Sequence, residues 1–576
     1  MKRILGLLFI LFITSLTYQA KAQVIINEAS SKNSSQILDE DNDYSDWIEL
    51  HNSSENIVNL TGYYLSDNEN DLEKWPFPTQ NIAPDSYFLV FASGKDKTDD
   101  EFHSNFKLSQ GGETIYLSFN GVIINQLIIP FLRDDHSYGI WQSASYYFTE
   151  STPGAVNNTQ NYLGYHPSPR FSPEGYLFDK STSISISTYP YTSQISYRIN
   201  NDELIETSSE DFSPIELSKT ITLQATAWND NYIVSDPVSR TFFYNEESDM
   251  RTFSISADPD LFWGDENGIY VLGNDAEDEF PFYGANFWKD ITIPVYIEYF
   301  KKSKSLIFEG QFGTKINGGS QARTRPMKSL RIVSDDEYGM GDIDHKFFKN
   351  KEADEFKRLI LRNSSSDFNE KHFNDALIHK SVINGKLDLD AAAYRPVAVY
   401  INGEYFGIHN LRERIDEYYL ESNYGVNENN VDIIEDENLI LEGDLIAINE
   451  MFDYVAANDL SIDSNKEALA ELLDIDSFID YFITETYFNN YDWPANNIKL
   501  WREKIPNAKW RYFLVDMDVS LNSFNWASHD QDNLGRVINE FGADNKHTLI
   551  FTKLLENESF RETFINRYAD LINTVY

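Results

Sequence analysis

From Val24 onward, apolar and polar residues alternate in short runs broken by turn-forming clusters. The runs VIINEAS, DWIELHN, YYLSD, YFLVFASG and ETIYLSF recur every ten or so residues. Period-two alternation at that spacing predicts half-buried strands of a β-sandwich over residues 23–156. A second, shorter set follows between Ser183 and Tyr244: SISIST, ISYRINN, PIELS, TITLQATAWN and SRTFFYN. This set predicts a small β-sandwich spacer over residues 174–245. Linkers are expected at Asn157–Pro173 and Asn245–Asp249, where polar and turn-forming residues gather. From residue 250 to 576 helical and strand patterns mix, as in an α+β domain. Leu359–Phe368 reads as a strand ending in a polar loop, and Phe373–Ile383 as a helix. Phe312–Ile332 reads as strand, Gly-Gly-Ser turn and basic strand, and Tyr394–Arg414 as a hairpin around Asn402-Gly403.

The stretch Tyr487–Asp518 carries the densest candidate chemistry. Apolar positions Ile475, Phe478, Ile479, Phe482 and Ile483 predict a helix capped by Asp474 or Asp476. Asp492 follows in a loop, then Asn497, then a hairpin turning at Pro506-Asn507. Centred there, the hairpin sets Ile498 opposite Val515, Leu500 opposite Phe513 and Asn497 opposite Asp516, with one apolar face. A continued strand would turn Asp518 to the same face as Asp516. Oxygen ligands gathered in this way suit a hard cation such as Mg²⁺ or Mn²⁺. Helix, Asp loop, Asn, hairpin and Asp is also the order of the protein-kinase catalytic core. However, no His-Arg precedes Asp492 and no Phe-Gly follows Asp516. A capped helix before an exposed acidic turn is the plain alternative.

Charge and compartment narrow the partners. The 576 residues include 47 basic and 92 acidic ones, a formal net charge of −45. That balance opposes a general footprint for nucleic acid or an anionic membrane. Met1-Lys2-Arg3, the apolar run Ile4–Leu16 and Ala20-Lys21-Ala22 have the form of a signal peptide over residues 1–22. An exported chain, secreted or at the cell surface, with no membrane span after cleavage is therefore expected. It has no cysteine, so packed cores must stabilise it without disulfides. The alternating acids of Asp39–Asp43 offer oxygens for a structural Ca²⁺, although the glycine of an EF-hand loop is missing. Scattered histidines show no zinc spacing, and G-x-S-x-G is absent.

Two resemblances sharpen this outline. I-I-N-E at Ile25–Glu28, D-W-I-E-L-H-N at Asp46–Asn52, L-T-G-Y-Y-L-S-D at Leu60–Asp67 and S-T-P-G at Ser151–Gly154 resemble the lamin-tail domain. Such domains imply an immunoglobulin-like adhesive or targeting module. The segment 174–245 looks like the fibronectin-type or chitobiase-C-terminal-like modules that serve as spacers. Further on come G-G-S…P-M-K-S-L-R-I, L-R-N-S-S-S-D-F, N-D-A-L, Y-R-P-V-A-V-Y-I-N-G-E-Y-F-G, L-R-E-R-I-D-E-Y-Y-L, N-N-Y-D-W-P-A-N-N-I-K-L-W and V-D-M-D. These blocks resemble the CotH kinase family, the spore-coat-protein-H-like atypical kinases.

The resemblance implies two N-terminal all-β sandwiches followed by an α+β kinase-like domain that uses ATP and Mg²⁺ or Mn²⁺. It implies Asp492 as catalytic base, with Asn497, Asp516 and Asp518 at the metal. Gly318, Gly319 and Ser320 would let the backbone approach phosphate, because glycine lacks the Cβ that blocks it. Lys328 and Arg331 would reach the phosphates. Glu413 would pair with Lys328, or with the nearer Arg412 and Arg414. The substrate would be a protein of the cell envelope or exterior, with the β modules contacting envelope or polysaccharide. The rival expectation is a non-catalytic adhesion protein on a kinase-like scaffold.

Overall fold

The structure is a computed structural model describing residues 23–576, apart from residues 247–248, 336–337, 340, 527, 529 and 543. The expected leader lies outside the described residues. The chain divides into two compact units. One runs up to Ser168 and takes in Thr188–Ile195 and Thr226–Asp236. The other holds Pro169–Ser187, Ser196–Ala225 and Pro237–Tyr576.

In the first unit the alternating runs become strands within three residues of their expected ends. Val24–Ser30 and Glu113–Phe119 match VIINEAS and ETIYLSF residue for residue. A six-stranded sheet contains Ser137–Trp141, Val24–Ser30, Trp47–Asn52 and Ser86–Phe91 as successive neighbours. A four-stranded sheet is built on Tyr63–Ser66, Glu113–Phe119 and Val122–Ile129. One core draws on both, with Ile26, Ile48 and Val90 from the first and Leu65, Ile115 and Leu117 from the second.

Two glutamates lie inside this unit, directly opposite each other as Glu28 and Glu49. Glu49 accepts from Asn27 Nδ2 at 2.7 Å and from the Gly154 amide; Glu28 accepts from Ser137 Oγ and Thr152 Oγ1. The S-T-P-G loop is thus fastened to the first two strands through buried carboxyls. Burial, with Glu28 adding to it, pushes Glu49 up to about 8 against the hydrogen bonds that oppose the shift.

The second unit begins with small sheets and continues into a closed barrel. Val238–Phe242 pairs with Ile221–Ala225, and Arg170–Ser172 with Ser185–Ser187. The barrel strands are β1 (Arg251–Ser256), β2 (Ile293–Phe300), β3 (Leu306–Ile316), β4 (Leu330–Val333), β5 (Arg358–Arg362), β6 (Tyr394–Ile401) and β7 (Glu404–Glu413). Their order is β1-β2-β3-β4-β5-β7-β6, closed by parallel pairing of β6 with β1. Phe253, Ile297, Phe312, Leu330, Leu359 and Val399 fill its core.

The small sheets are packed onto the barrel as well as linked to it. Phe243 clusters with Phe300, Ala398 and Tyr400. The fully buried Glu298 of β2 accepts from the Thr241 amide at 2.8 Å and from its hydroxyl at 2.6 Å. The expected hairpin tip is present, with Asn402 at φ 47° and Gly403 at φ 78°, a pair suited to a tight type I′ turn. The Asn402 amide donates to Asn201 Oδ1, and its Oδ1 accepts from Gln224.

Between the barrel strands come α1 (Ser320–Thr324) and α2 (Asn374–Gly385), and after them α3 (Glu417–Tyr424), α4 (Ile446–Ala457), α5 (Ile475–Tyr487), α6 (Lys546–Leu555) and α7 (Glu558–Thr574). They accompany a sheet of order β9-β8-β10-β11, formed by β8 (Val431–Glu435), β9 (Leu439–Glu442), β10 (Lys499–Glu503) and β11 (Arg511–Phe513). The α1 helix stands where a simple Gly-Gly-Ser turn was expected. α5 starts on Asp474, whose side chain accepts from Ser477 N at 3.2 Å, so Asp474 is the cap.

The hairpin forms, but its register is one residue from the expected one. Leu500 lies opposite Tyr512 and Trp501 opposite Arg511, not Leu500 opposite Phe513. The turn has Ala508 N donating to Ile505 O at 3.3 Å, with Asn507 at φ 63°. Both faces are buried: Leu500 and Tyr512 join the helical core, while Trp501 and Phe513 join Tyr419, Leu420 and Ile433. A two-sided apolar hairpin gives no alternation to fix register, so the turn sets it. β11 ends at Phe513, and Asp516 has φ 50° before a 3₁₀ turn over Met517–Val519. The pairing of Ile498 with Val515 and Asn497 with Asp516 therefore does not form.

Candidate active site

A cluster of acids in the second unit is centred on Arg362. Leu359 and Leu361 enter the barrel core, and strand alternation then places Arg362 at the end of β5 on the other face. Its Nη2 lies 2.5 Å from Asp516 Oδ1 and 3.1 Å from Asp518 Oδ2. Burial opposes its charge, but Asp516, Asp375 and Asp518 outweigh burial and hold the guanidinium above its ordinary range. Asp516 is 39% exposed at its side chain, whereas Asp518 is 3% exposed and also accepts from the Ser366 amide at 2.9 Å. Burial and the neighbouring Asp516 push Asp518 up, against the pull of Arg362. The two acids reach one arginine through the 3₁₀ turn, not along a continued strand.

A layer beneath fixes this arrangement. Asp375, in the first turn of α2, accepts from the Met517 amide at 3.0 Å and is paired with Arg412 of β7. Burial opposes its charge, yet Arg412, His379 and Arg362 hold the carboxylate well below its usual range. His379 Nδ1 accepts from Ala392 N at 3.0 Å, which leaves the Nε2 proton facing Asp375 at 3.3 Å. Arg412 also donates from Nε to Ala393 O at 3.1 Å.

The Asp492 loop is stitched to the same turn. Tyr491 N donates to Val519 O, and Leu521 N to Phe488 O, both at 3.1 Å. Asn490 Nδ2 reaches Asp516 O at 3.4 Å and Glu485 Oε2 at 3.0 Å. Asp492 is half-buried, accepts from Asn497 Nδ2 at 3.4 Å and from Asn496 Nδ2 at 3.3 Å, and has no ion pair among the described residues. Burial raises Glu485 well above its usual range, with Asp516 and Asp375 adding to the effect. Glu485 Oε1 and Asn490 Oδ1 are buried oxygens without hydrogen-bond partners. Backbone strain gathers here too: Asn489, Asn497, Asp516 and Leu521 all have φ between 50° and 70°, and non-glycine residues hold that conformation only where their surroundings demand it.

The proposed phosphate-side residues are arranged differently from expectation. Gly318 has φ 96°, and a Cβ there would sit 2.7 Å from Ala322 Cβ; at Gly319 nothing lies within 4 Å of an added Cβ. Ser320 opens α1, and its carbonyl accepts from Thr324 Oγ1 at 2.8 Å. Lys328 is buried over Phe287, its Nζ 4.2 Å from the ring centroid, and donates to the carbonyls of Arg323 and Arg325. Burial, with Arg323 nearby, pushes it down to about 8. Arg331 shares Asn317 Oδ1 with Arg414 and is pushed down to about 10 by burial and neighbouring arginines. Glu413 sits on a strand and pairs with Lys351 at 3.6 Å, accepting also from Ala393 N at 2.7 Å. The expected pairings with Lys328, Arg412 or Arg414 are replaced by this one.

The sequence also concealed a hub. Asn363 Nδ2 donates to Met327 O at 2.6 Å and Ala322 O at 3.0 Å, and its Oδ1 accepts from Ser329 Oγ at 2.8 Å. It ties the Gly318–Lys328 segment to the residue beside Arg362.

A family model described as CotH kinase protein matches residues 314–575, and one described as Lamin Tail Domain matches residues 17–128. The chain carries a lamin tail domain followed by a CotH kinase domain. The CotH match begins inside β3, so β1 and β2, which the barrel needs for closure, precede it. The lamin-tail match ends before Ser137–Trp141, the strand paired with Glu28 and Ala29. No curated protein matches the chain.

The acidic loop of the lamin tail domain carries its own cation. Lys95 Nζ lies 2.6 Å from Asp39, 2.8 Å from Asp41 and 2.8 Å from Asp43. The three carboxylates also lie close enough together to share a metal ion, the structural Ca²⁺ for which the sequence offers oxygens. No helix among the described residues is long and apolar enough to cross a membrane.

Proposed function

We propose that the CotH domain is an atypical protein kinase that transfers the γ-phosphoryl group of ATP to Ser or Thr of a protein outside the cytoplasm. The observation that carries this reading is a partly exposed Asp516 held with Asp518 on Arg362, beside a strained loop bearing Asp492 and Asn497. All the candidate donors are oxygens, and two buried ones, Glu485 Oε1 and Asn490 Oδ1, lack partners beside the acid pair. That donor set fits a hard divalent ion. Asp516 would hold Mg²⁺ or Mn²⁺, with Asp518 fixing its surroundings; Asn497, which does not pair with Asp516 in the hairpin, would join from the Asp492 loop. The ion would supply charge neutralisation for the triphosphate.

The remaining roles belong to the chain. Asp492 positions the acceptor hydroxyl and receives its proton, a task that is mostly orientation in phosphoryl transfer. Arg362 keeps two acids close despite their repulsion. Asp375, Arg412 and His379 hold the Asp516 turn in place. Lys328 acts by fixing the loop after α1, since its ammonium is already committed to two carbonyls. The leader-like residues 1–22 support export.

A second reading, a non-catalytic adhesion protein, draws on that same commitment of Lys328 and on the pairing of Glu413 with Lys351. The full chain incubated with γ-labelled ATP, Mg²⁺ or Mn²⁺ and a Ser/Thr acceptor protein separates the two. Metal-dependent label lost in both Asp492→Ala and Asp516→Ala supports the kinase. Equal label in wild type and variants, or none from folded wild type, supports adhesion.

A further inference from the structure

The first unit contains a cleft of about 510 Å³ that takes no part in the phosphotransfer proposal. Tyr162, Trp228 and Tyr232 line it, together with Gln160, Asn229 and Asp230. Trp228 is 36% exposed. Asp230 is exposed and forms no ion pair among the described residues. Neither lysine nor arginine is among the lining residues.

The walls are rigid. Leu163 N donates to Asn231 O at 2.8 Å, Ile233 N to Gly164 O at 2.9 Å and His166 N to Ile233 O at 2.7 Å. The two lining segments, 160–166 and 229–234, are therefore laced together through their backbones. Asn229 Nδ2 donates to Ser193 Oγ at 2.9 Å, and its Oδ1 caps the Asn231 amide at 2.9 Å. Tyr232 packs edge-on against the buried His166, with ring centroids 6.0 Å apart. A cleft already ordered in this way loses little freedom when it binds.

We infer that this cleft binds a neutral saccharide. Flat rings offer apolar faces to the C–H side of a sugar, while an amide and a carboxylate beside them take up hydroxyls. The volume lies within the range of small-ligand clefts. The absence of a lining cation, with Asp230 present, disfavours phosphate, sulfate or uronate groups, and the net charge of −45 acts in the same direction. A peptide partner is disfavoured because the lacing bonds already use backbone groups of both walls.

The test uses the full chain in calorimetric titrations with cellohexaose, chitohexaose and maltohexaose. Saturable binding of at least one is expected, unchanged between low and high salt. Trp228→Ala weakens it about tenfold or more, as loss of an aromatic anchor does, and Trp228→Phe restores most of it. Gln160→Ala, at an exposed position, provides a second weakened variant should Trp228→Ala lower the melting temperature. Failure of the wild type to bind any of the three sugars overturns the inference. So does equal binding by Trp228→Ala and Gln160→Ala, or binding of an unstructured peptide at the cleft in place of sugar. None of these outcomes bears on the labelled-ATP assay.

Discussion

Raising the pH from 5 to 8 should weaken the lamin tail domain through Glu49. Its folded-state pKa of about 8 stands against 4.5 for the ordinary side chain. Between those values the folded protein keeps a proton that the unfolded chain releases. The stabilisation is fully present below pH 4.5 and is lost as the pH climbs through 8. One such proton gives a slope of about 1.4 kcal/mol per pH unit, so the window represents at most about 5 kcal/mol. Glu28 and Asp46, also raised by burial, tilt the curve in the same direction. The assay is denaturant unfolding of the full chain at half-unit pH steps, following the transition of the first unit, for wild type and Glu49→Gln. The amide loses one acceptor facing Asn27 or the Gly154 amide, a cost that does not vary with pH. The reading is therefore the slope, which should be shallower in the variant by about 1.4 kcal/mol per unit between pH 5.5 and 7.5. A wild-type curve flat across that window, or a variant curve equally steep, would refute the reasoning.

Two further perturbations probe the second unit. Arg412→Ala leaves the buried Asp375 without its main partner and should cost about 3–5 kcal/mol in denaturant unfolding; a loss below 1 kcal/mol would remove Asp375 as the support of the Asp516 turn. Gly403→Ala adds a Cβ 2.3 Å from Asn200 Oδ1 at a backbone φ of 78°, and should cost about 1–3 kcal/mol, with an unchanged melting temperature counting against the interlocked hairpin tip.

Much of the architecture was legible from alternation. The runs around Val24–Ser30 and Glu113–Phe119 and the Asn402-Gly403 turn needed only local rules and formed as read, and of the two candidate caps Asp474 is the one used. The hairpin register was illegible because Trp501 and Phe513 are as apolar as Leu500 and Tyr512, so both faces look like the inside. The acids at 516 and 518 were visible, but their arginine was not: Arg362 lies 154 positions from Asp516, and no local pattern joins them. The one available signal was an arginine ending an apolar strand just before Asn-Ser-Ser-Ser, in a chain otherwise dominated by acids. Lys328 and Glu413 looked like a phosphate lysine and its partner, yet a nearer pair of carbonyls and Lys351 claimed them. Proximity in the fold decided both cases, and sequence spacing could not supply it.

The seam between the small sheets and the barrel limits how the chain can be cut. A fragment starting at Arg251 would strip Thr241 from Glu298 and Phe243 from Phe300, leaving a bare acid and a greasy face on the barrel. Gene fusions or shuffling that keep the barrel intact should therefore carry along the preceding strands that supply Thr241 and Phe243.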